Sequence, residues 1–210
     1  MGLISLLFSN PAEFLILAII LLYSVILHEV AHGFVAHLFG DNTALYHGRL
    51  TLNPASHLDP LGTIMLFIVG FGWARPVPVN YSSFSSRRFG LFSVALAGCA
   101  TNILIAIIAL FLLQFNFINA NVALSAILLI VARINIILGA FNLIPIPPLD
   151  GSKILMSFLS YRAQESLSML EPYGFFILAI LLFTGLLNPA IVFMQNLIYA
   201  GIAILFGLFK

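Results

Sequence analysis

Inside a long apolar stretch, residues 12–39, Leu27 is followed by His28-Glu29-Val30-Ala31-His32. On a helix His28 and His32 stand one turn apart on the same face, so both imidazoles can reach a single zinc ion. Glu29 lies next to the first of them, placed to take a proton from a metal-bound water. In an aqueous helix such a pattern arises readily by chance. In the hydrocarbon layer three polar side chains are expensive, and function takes precedence over a pair of satisfied interior histidines with a stray glutamate between them.

Two imidazoles leave a zinc site short of a protein ligand. The candidate is Asp150, in Asn142-Leu143-Ile144-Pro145-Ile146-Pro147-Pro148-Leu149-Asp150-Gly151. Three prolines and a closing glycine break the end of an apolar helix, which lets non-helical backbone sit at depth around a polar cavity. A carboxylate there completes a two-histidine, one-carboxylate set whose fourth position stays open to water, the mark of a catalytic zinc. Taken alone, the segment also reads as an interfacial loop with Asp150 in water.

Other polar residues compete for attention. His37 lies about 180° around the helix from His28 and so faces away from a metal there, and His47 falls in a loop. His57 and Asp59 form a His-x-Asp pair that reads as a polar loop, a gate or a competing third ligand. Asn102 and Asn142 could orient a substrate carbonyl or its developing oxyanion, and interhelical packing hydrogen bonds explain them almost as well. Arg133, near the middle of the apolar run 121–143, should face the bundle interior and find a partner, unless that span begins later.

The elements that position these residues follow from composition. The chain has 210 residues, 62% hydrophobic and 7% charged, with mean hydropathy +1.15; a soluble domain carries about a quarter charged residues. A water-facing globule is excluded. A membrane helix needs about 20 residues, and apolar stretches at 12–39, 61–73, 91–113, 121–143, 174–187 and 190–208 imply an all-α polytopic membrane protein with about five to six transmembrane or re-entrant segments. The run 61–73 is short and holds Gly62, Gly70 and Gly72, which predicts a re-entrant or interfacial piece. On either side of it, Arg49-Leu50-Thr51-Leu52 and Val77-Pro78-Val79-Asn80 predict a small membrane-associated β ribbon whose prolines keep it at an edge.

Charge sets sidedness. Asp41, Arg49, Asp59, Arg75, Arg87 and Arg88 lie in 41–88, and Asp150, Lys153, Arg162, Glu165 and Glu171 in 150–171. The connections 114–120 and 187–189 carry no charge, so the two charged regions are expected on the cytosolic side. Glu13 and Lys210 lie near the ends, leaving Glu29 and Arg133 within spans. A net charge of +1 without a basic run excludes a nucleic-acid partner. Cys99, the single cysteine, reads as a small packing residue. The N-terminus lacks the features of a cleaved signal peptide, so the first span is expected to stay in the mature protein.

Over roughly residues 20–155 the chain resembles the site-2 proteases, a family of intramembrane zinc metalloproteases. His28-Glu29-Val30-Ala31-His32 matches the family's HExxH, and Asn142 through Gly151 its Asn…Pro…Asp-Gly element. Gly48-Arg49-Leu50-Thr51-Leu52-Asn53-Pro54, His57, Asp59-Pro60 and Gly70-Phe71-Gly72-Trp73-Ala74-Arg75-Pro76-Val77-Pro78-Val79-Asn80 look like its short bacterial branch, without PDZ or CBS domains. Where the family usually has Pro after Ala97-Gly98 this chain has Cys99, which puts the local helix geometry in question.

The resemblance implies one integral membrane peptidase domain over 1–210, with a catalytic core at about 12–155 and C-terminal helical segments at about 172–208. It implies one catalytic zinc ion on His28, His32 and Asp150 with Glu29 as the catalytic acid/base. The expected substrate is the transmembrane segment of another membrane protein, cleaved in regulated intramembrane proteolysis in the bacterial plasma membrane, through a site opening toward the cytoplasm. The rival reading is a divalent-metal transporter or metal sensor. Transport would favour repeat symmetry and paired broken helices; the chain shows no repeat, and Glu29 has no obvious use in a simple ligand set. A catalytically silent scaffold is a third possibility.

Overall fold

The computed structural model describes residues 3–69 and 72–207; Gly70, Phe71 and Lys210 lie outside them. Eleven α-helices follow one another among these residues: α1 (Leu3–Ser9), α2 (Pro11–Leu38), α3 (Thr43–Tyr46), α4 (Pro60–Val69), α5 (Arg87–Leu112), α6 (Asn116–Asn119), α7 (Val122–Asn142), α8 (Asp150–Phe158), α9 (Tyr161–Ser168), α10 (Glu171–Phe183) and α11 (Asn188–Gly207). Four of them, α2, α5, α7 and α11, are long and apolar enough to cross a membrane. The pair α9 and α10, bent by 63° at a short break, makes a fifth if taken together.

Local signals start these helices where the apolar runs begin. Asn10 accepts a hydrogen bond from the Glu13 N–H with Pro11 just inside α2, and Asn121 accepts from the Leu124 N–H at the start of α7. The bundle then packs through small residues. α5 lies against α2, α7 and α8, and α7 against α11. Ala106 and Ala109 of α5 meet Ala132, Ile136 and Ala140 of α7 and Ile198 and Ile202 of α11 in one buried cluster. Small side chains let helix backbones approach closely where lipid supplies no hydrophobic drive for association.

The two ends of the stretch 57–75 lie side by side. The Arg75 N–H donates to the His57 carbonyl at 2.8 Å, and Leu58 and Ala74 form an isolated antiparallel bridge. α4 is only 10 residues long, about 15 Å at an α-helical rise, which is too short to cross a bilayer.

The predicted ribbon is not formed: no strand occurs among the described residues, and the Leu58–Ala74 bridge stands alone. Two side-chain carboxylates explain this. Prolines 76 and 78 remove donors from the 76–80 segment, and the Val77 and Asn80 N–H groups donate to Glu29 Oε2 and Asp41 Oδ2 at 2.8 and 2.6 Å. Little is left to pair with 49–52. Arg133 also departs from expectation. It lies within α7, yet its side chain is exposed on the outer surface and has no ion-pair partner among the described residues. The residues of α7 that face inward are Ala132, Asn135 and Ile136.

Asp41 anchors the chain just after α2. Its fully buried carboxylate also accepts from the Thr43 N–H at 2.9 Å and from the Thr43 hydroxyl. Burial by itself would raise its pKa, but the hydrogen bonds from Thr43 and Asn80 outweigh this and hold it below the usual carboxylate value. A carboxyl depressed by folding contributes stability above its unfolded pKa and loses it as pH falls toward the folded value. Asp41→Ala should therefore lose about 2 kcal/mol at neutral pH. The difference from wild type should close as pH falls below about 4 in thermal unfolding measured in detergent.

Candidate metal centre

The site assembles at the crossing of α2 with α5, closed by the start of α8. His28 and His32 project from one face of α2 onto α5, where Gly98 leaves the backbone bare. A Cβ at Gly98 would lie 2.5 Å from His28 Cε1 and Nε2 and from His32 Nε2. The third residue arrives from a distant stretch of chain. After α7 ends at Asn142, Pro145, Pro147 and Pro148 prevent helix continuation, and α8 begins at Asp150. Gly151 is required there because a side chain would strike the Leu143 carbonyl and come 2.5 Å from that of Ile144.

These elements bring three donor atoms to one point. His28 Nε2 and His32 Nε2 lie 3.0 Å apart, and Asp150 Oδ2 is 3.0 Å from the first and 3.2 Å from the second. All three residues are buried, and among the described residues they are the one His/Cys/Asp/Glu group with metal-site spacing. The outer ring nitrogens are engaged elsewhere: His28 Nδ1 is 2.6 Å from Asn102 Oδ1, and His32 Nδ1 is 2.6 Å from the Val94 carbonyl. Both partners are acceptors, so both Nδ1 atoms carry protons, and neutral rings turn lone pairs on Nε2 toward the shared point. Two imidazole lone pairs and a carboxylate oxygen are the donor set of a catalytic zinc site. Tetrahedral bonds of about 2.0–2.1 Å would place such donors roughly 3.3 Å apart.

Glu29 stands beside this trio. Its carboxylate is held by the Val77 N–H through Oε2, so the extended 76–80 segment lies across the same face of α2. Arg49 is buried close by and donates through Nη2 to the Arg75 carbonyl at 2.7 Å. Burial and the neighbouring Arg75 cation push the Arg49 guanidinium below its ordinary pKa, while Glu29 pulls it the other way. The base candidate thus sits in a positive local field.

Several competing candidates resolve into other roles. His57 is buried with Nε2 on the Thr51 carbonyl at 2.8 Å, and Asp59 Oδ1 accepts the Gly62 N–H at 2.7 Å at the start of α4. Both shape the segment around α4 and neither joins the trio. Asn142 donates to the Leu138 carbonyl of its own helix, and His37, exposed, contacts Asn42. α5 runs unbroken through Cys99, whose Sγ lies 3.8 Å from Asp150 Oδ2. The sequence reading missed Ser24, Asn135, Gly98, Val77 and the Val94 carbonyl. Of these Ser24 and Asn135 carried a signal, as polar side chains within spans.

Residues 116–185 match the profile of Peptidase family M50. Over 177 residues the chain is 41% identical to "Putative zinc metalloprotease YwhC" of Bacillus subtilis, with 81% of each chain covered. The chain belongs to peptidase family M50. It is also 32% identical over 173 residues to "Putative zinc metalloprotease Rip2" of Mycobacterium tuberculosis, covering 80% of this chain and 66% of that protein. Similarity to "Zinc metalloprotease MJ0392" of Methanocaldococcus jannaschii is 29% over 201 residues, 95% of this chain and 50% of that protein. No solved structure matches. Family membership makes this M50 chain a zinc-dependent membrane metalloprotease, and none of these findings supports a metal transporter.

The bare backbone at Gly98 gives a direct test. Gly98→Ala sets a methyl group against both Nε2 atoms, so bound zinc measured by atomic absorption should fall to about a tenth of wild type or less. Far-UV circular dichroism should remain helical.

Proposed function

We propose that His28, His32 and Asp150 hold the zinc ion of this M50 peptidase, and that Glu29 carries the proton for hydrolysis of a peptide bond within or beside a transmembrane segment of another membrane protein. The observation that carries the reading is the convergence of three buried donor atoms from two segments far apart in sequence, each histidine already turned by a partner on its outer nitrogen. Zinc bound there supplies a Lewis acid for the scissile carbonyl and a water acidic enough to deprotonate near neutral pH. Glu29 accepts that proton and returns it to the leaving amine. Its Oε2 is oriented by the Val77 N–H, which leaves Oε1 for the proton.

A substrate helix must unwind before this site can act, because helical amides are already hydrogen-bonded. The charged regions favour entry from the cytosolic face of a bacterial plasma membrane. They meet in space: Arg87 lies over the Tyr161 ring, Lys153 over the Tyr81 ring, and Arg88 Nη2 reaches the Leu159 carbonyl at 3.4 Å. Between them opens a cavity of about 340 Å³ that includes Lys153, one turn along α8 from Asp150. The whole chain acts as one peptidase domain in this reading. Its core at about 12–155 is closed by the C-terminal helices, since Ile144 and Leu149 beside the site pack with Leu178 of α10 and with Leu187.

Glu29→Gln should keep its zinc while cleavage of a membrane-peptide substrate in detergent falls roughly 10²- to 10⁴-fold. Asp150→Ala should lose most of the zinc. Wild-type cleavage by Glu29→Gln, or unchanged metal content in Asp150→Ala, would overturn the assignment of that residue.

A further inference from the structure

His28 and His32 are fixed in different ways. The outer nitrogen of His32 meets a backbone carbonyl, that of Val94, which cannot turn to present a donor. His28 instead meets a side-chain amide, and an amide can present either oxygen or nitrogen. Which end faces His28 decides which ring nitrogen carries the proton.

The answer lies one layer deeper in the bundle. Asn102 and Asn135 are both completely buried, and Ser24 is nearly so. Asn102 Nδ2 donates to Asn135 Oδ1 at 2.8 Å and toward the Ser24 carbonyl at 3.4 Å. Asn135 Nδ2 donates to Ser24 Oγ and to the Val131 carbonyl, each at 2.9 Å. Ser24 stands one turn before His28 on α2, so the chain of hydrogen bonds runs from α2 to α5 to α7 and back to α2. Both amide groups have all their N–H donors placed, and the one remaining oxygen, Asn102 Oδ1, points at His28 Nδ1.

We infer that Asn102, locked in orientation by Asn135 and Ser24, is the positioning residue that keeps His28 protonated on Nδ1 and its Nε2 lone pair aimed at the metal. This rests on the zinc assignment proposed above. If the amide of Asn102 turned over, an N–H would face His28, the ring proton would move to Nε2, and that atom could no longer ligate. Asn135 touches no member of the trio, yet it accepts the hydrogen bond that prevents this turn. The relay therefore gives α7 a say in metal affinity through a contact two side chains removed.

Simple interhelical glue would hold the helices together without regard to which atom faces the histidine. The two roles separate in zinc affinity, measured by chelator competition on the full-length protein in detergent, alongside thermal unfolding of the zinc-free form. Asn102→Leu and Asn135→Leu should each weaken zinc binding about 10- to 100-fold. The double variant should be no weaker than Asn102→Leu, because Asn135 acts through Asn102. Asn102→Asp and Asn135→Asp keep an acceptor in place and should bind close to wild type; they carry the comparison if a leucine variant does not fold.

His28→Ala distinguishes the two levels of the reading. If it retains wild-type zinc affinity, the ligand assignment itself fails. If it loses zinc while both leucine variants keep wild-type affinity, or if their losses add in the double variant, the positioning role is overturned and the metal site stands.

Discussion

Polar atoms placed among apolar helices must each find a partner, because unpaired they cost far more there than in water. The centre of this protein is built around that constraint. Three buried donors face one point and are complementary to a cation, so every atom behind them has to be satisfied by protein. The Val94 carbonyl, Asn102, Asn135 and Ser24 do this for the two histidines. The position of α5 follows, since it alone brings Gly98, Val94 and Asn102 onto the same face of α2. So does the small-residue packing of α5 on α7, which draws Asn135 within reach.

The same constraint shapes the rim of the site. Glu29 within α2 and Asp41 just after it are carboxylates that need donors, and the 76–80 segment has N–H groups that need acceptors. Each satisfies the other, so the segment becomes an extended strap along α2 and not half of a ribbon. Val77 packs against Gly33 beside Leu50, which brings the 49–52 and 76–80 segments to the same helix face without a ladder between them. Chemistry and architecture share one residue here: the glutamate that would move a proton also holds the strap in place.

Much was legible beforehand because the signals were local. A His-Glu-x-x-His run in an apolar stretch names its own helix and face, and three prolines before Asp150 announce a break. The short glycine-bearing run before Trp73 indicated a piece too short to span, and its flanks meet through the Arg75–His57 hydrogen bond and the Leu58–Ala74 bridge. The ribbon failed because β propensity describes a segment's preference and says nothing of carboxylates that arrive from another helix. Arg133 was placed inward because charge in a span is costly, yet the rotation of α7 is set by Ala132, Asn135 and Ile136. With that face turned inward, Arg133 falls on the exposed side of the helix.

By itself, then, the sequence determined the membrane setting and the helical class and singled out His28, His32, Asp150 and Glu29 as candidates, since these depend on composition and short-range spacing. Tertiary structure alone decided which nitrogen of each histidine faces the centre, what lies behind it and where the strap runs. Those depend on atoms brought together across 33 to 111 residues of chain. In a backbone carbonyl such as that of Val94, moreover, no side-chain identity records the role.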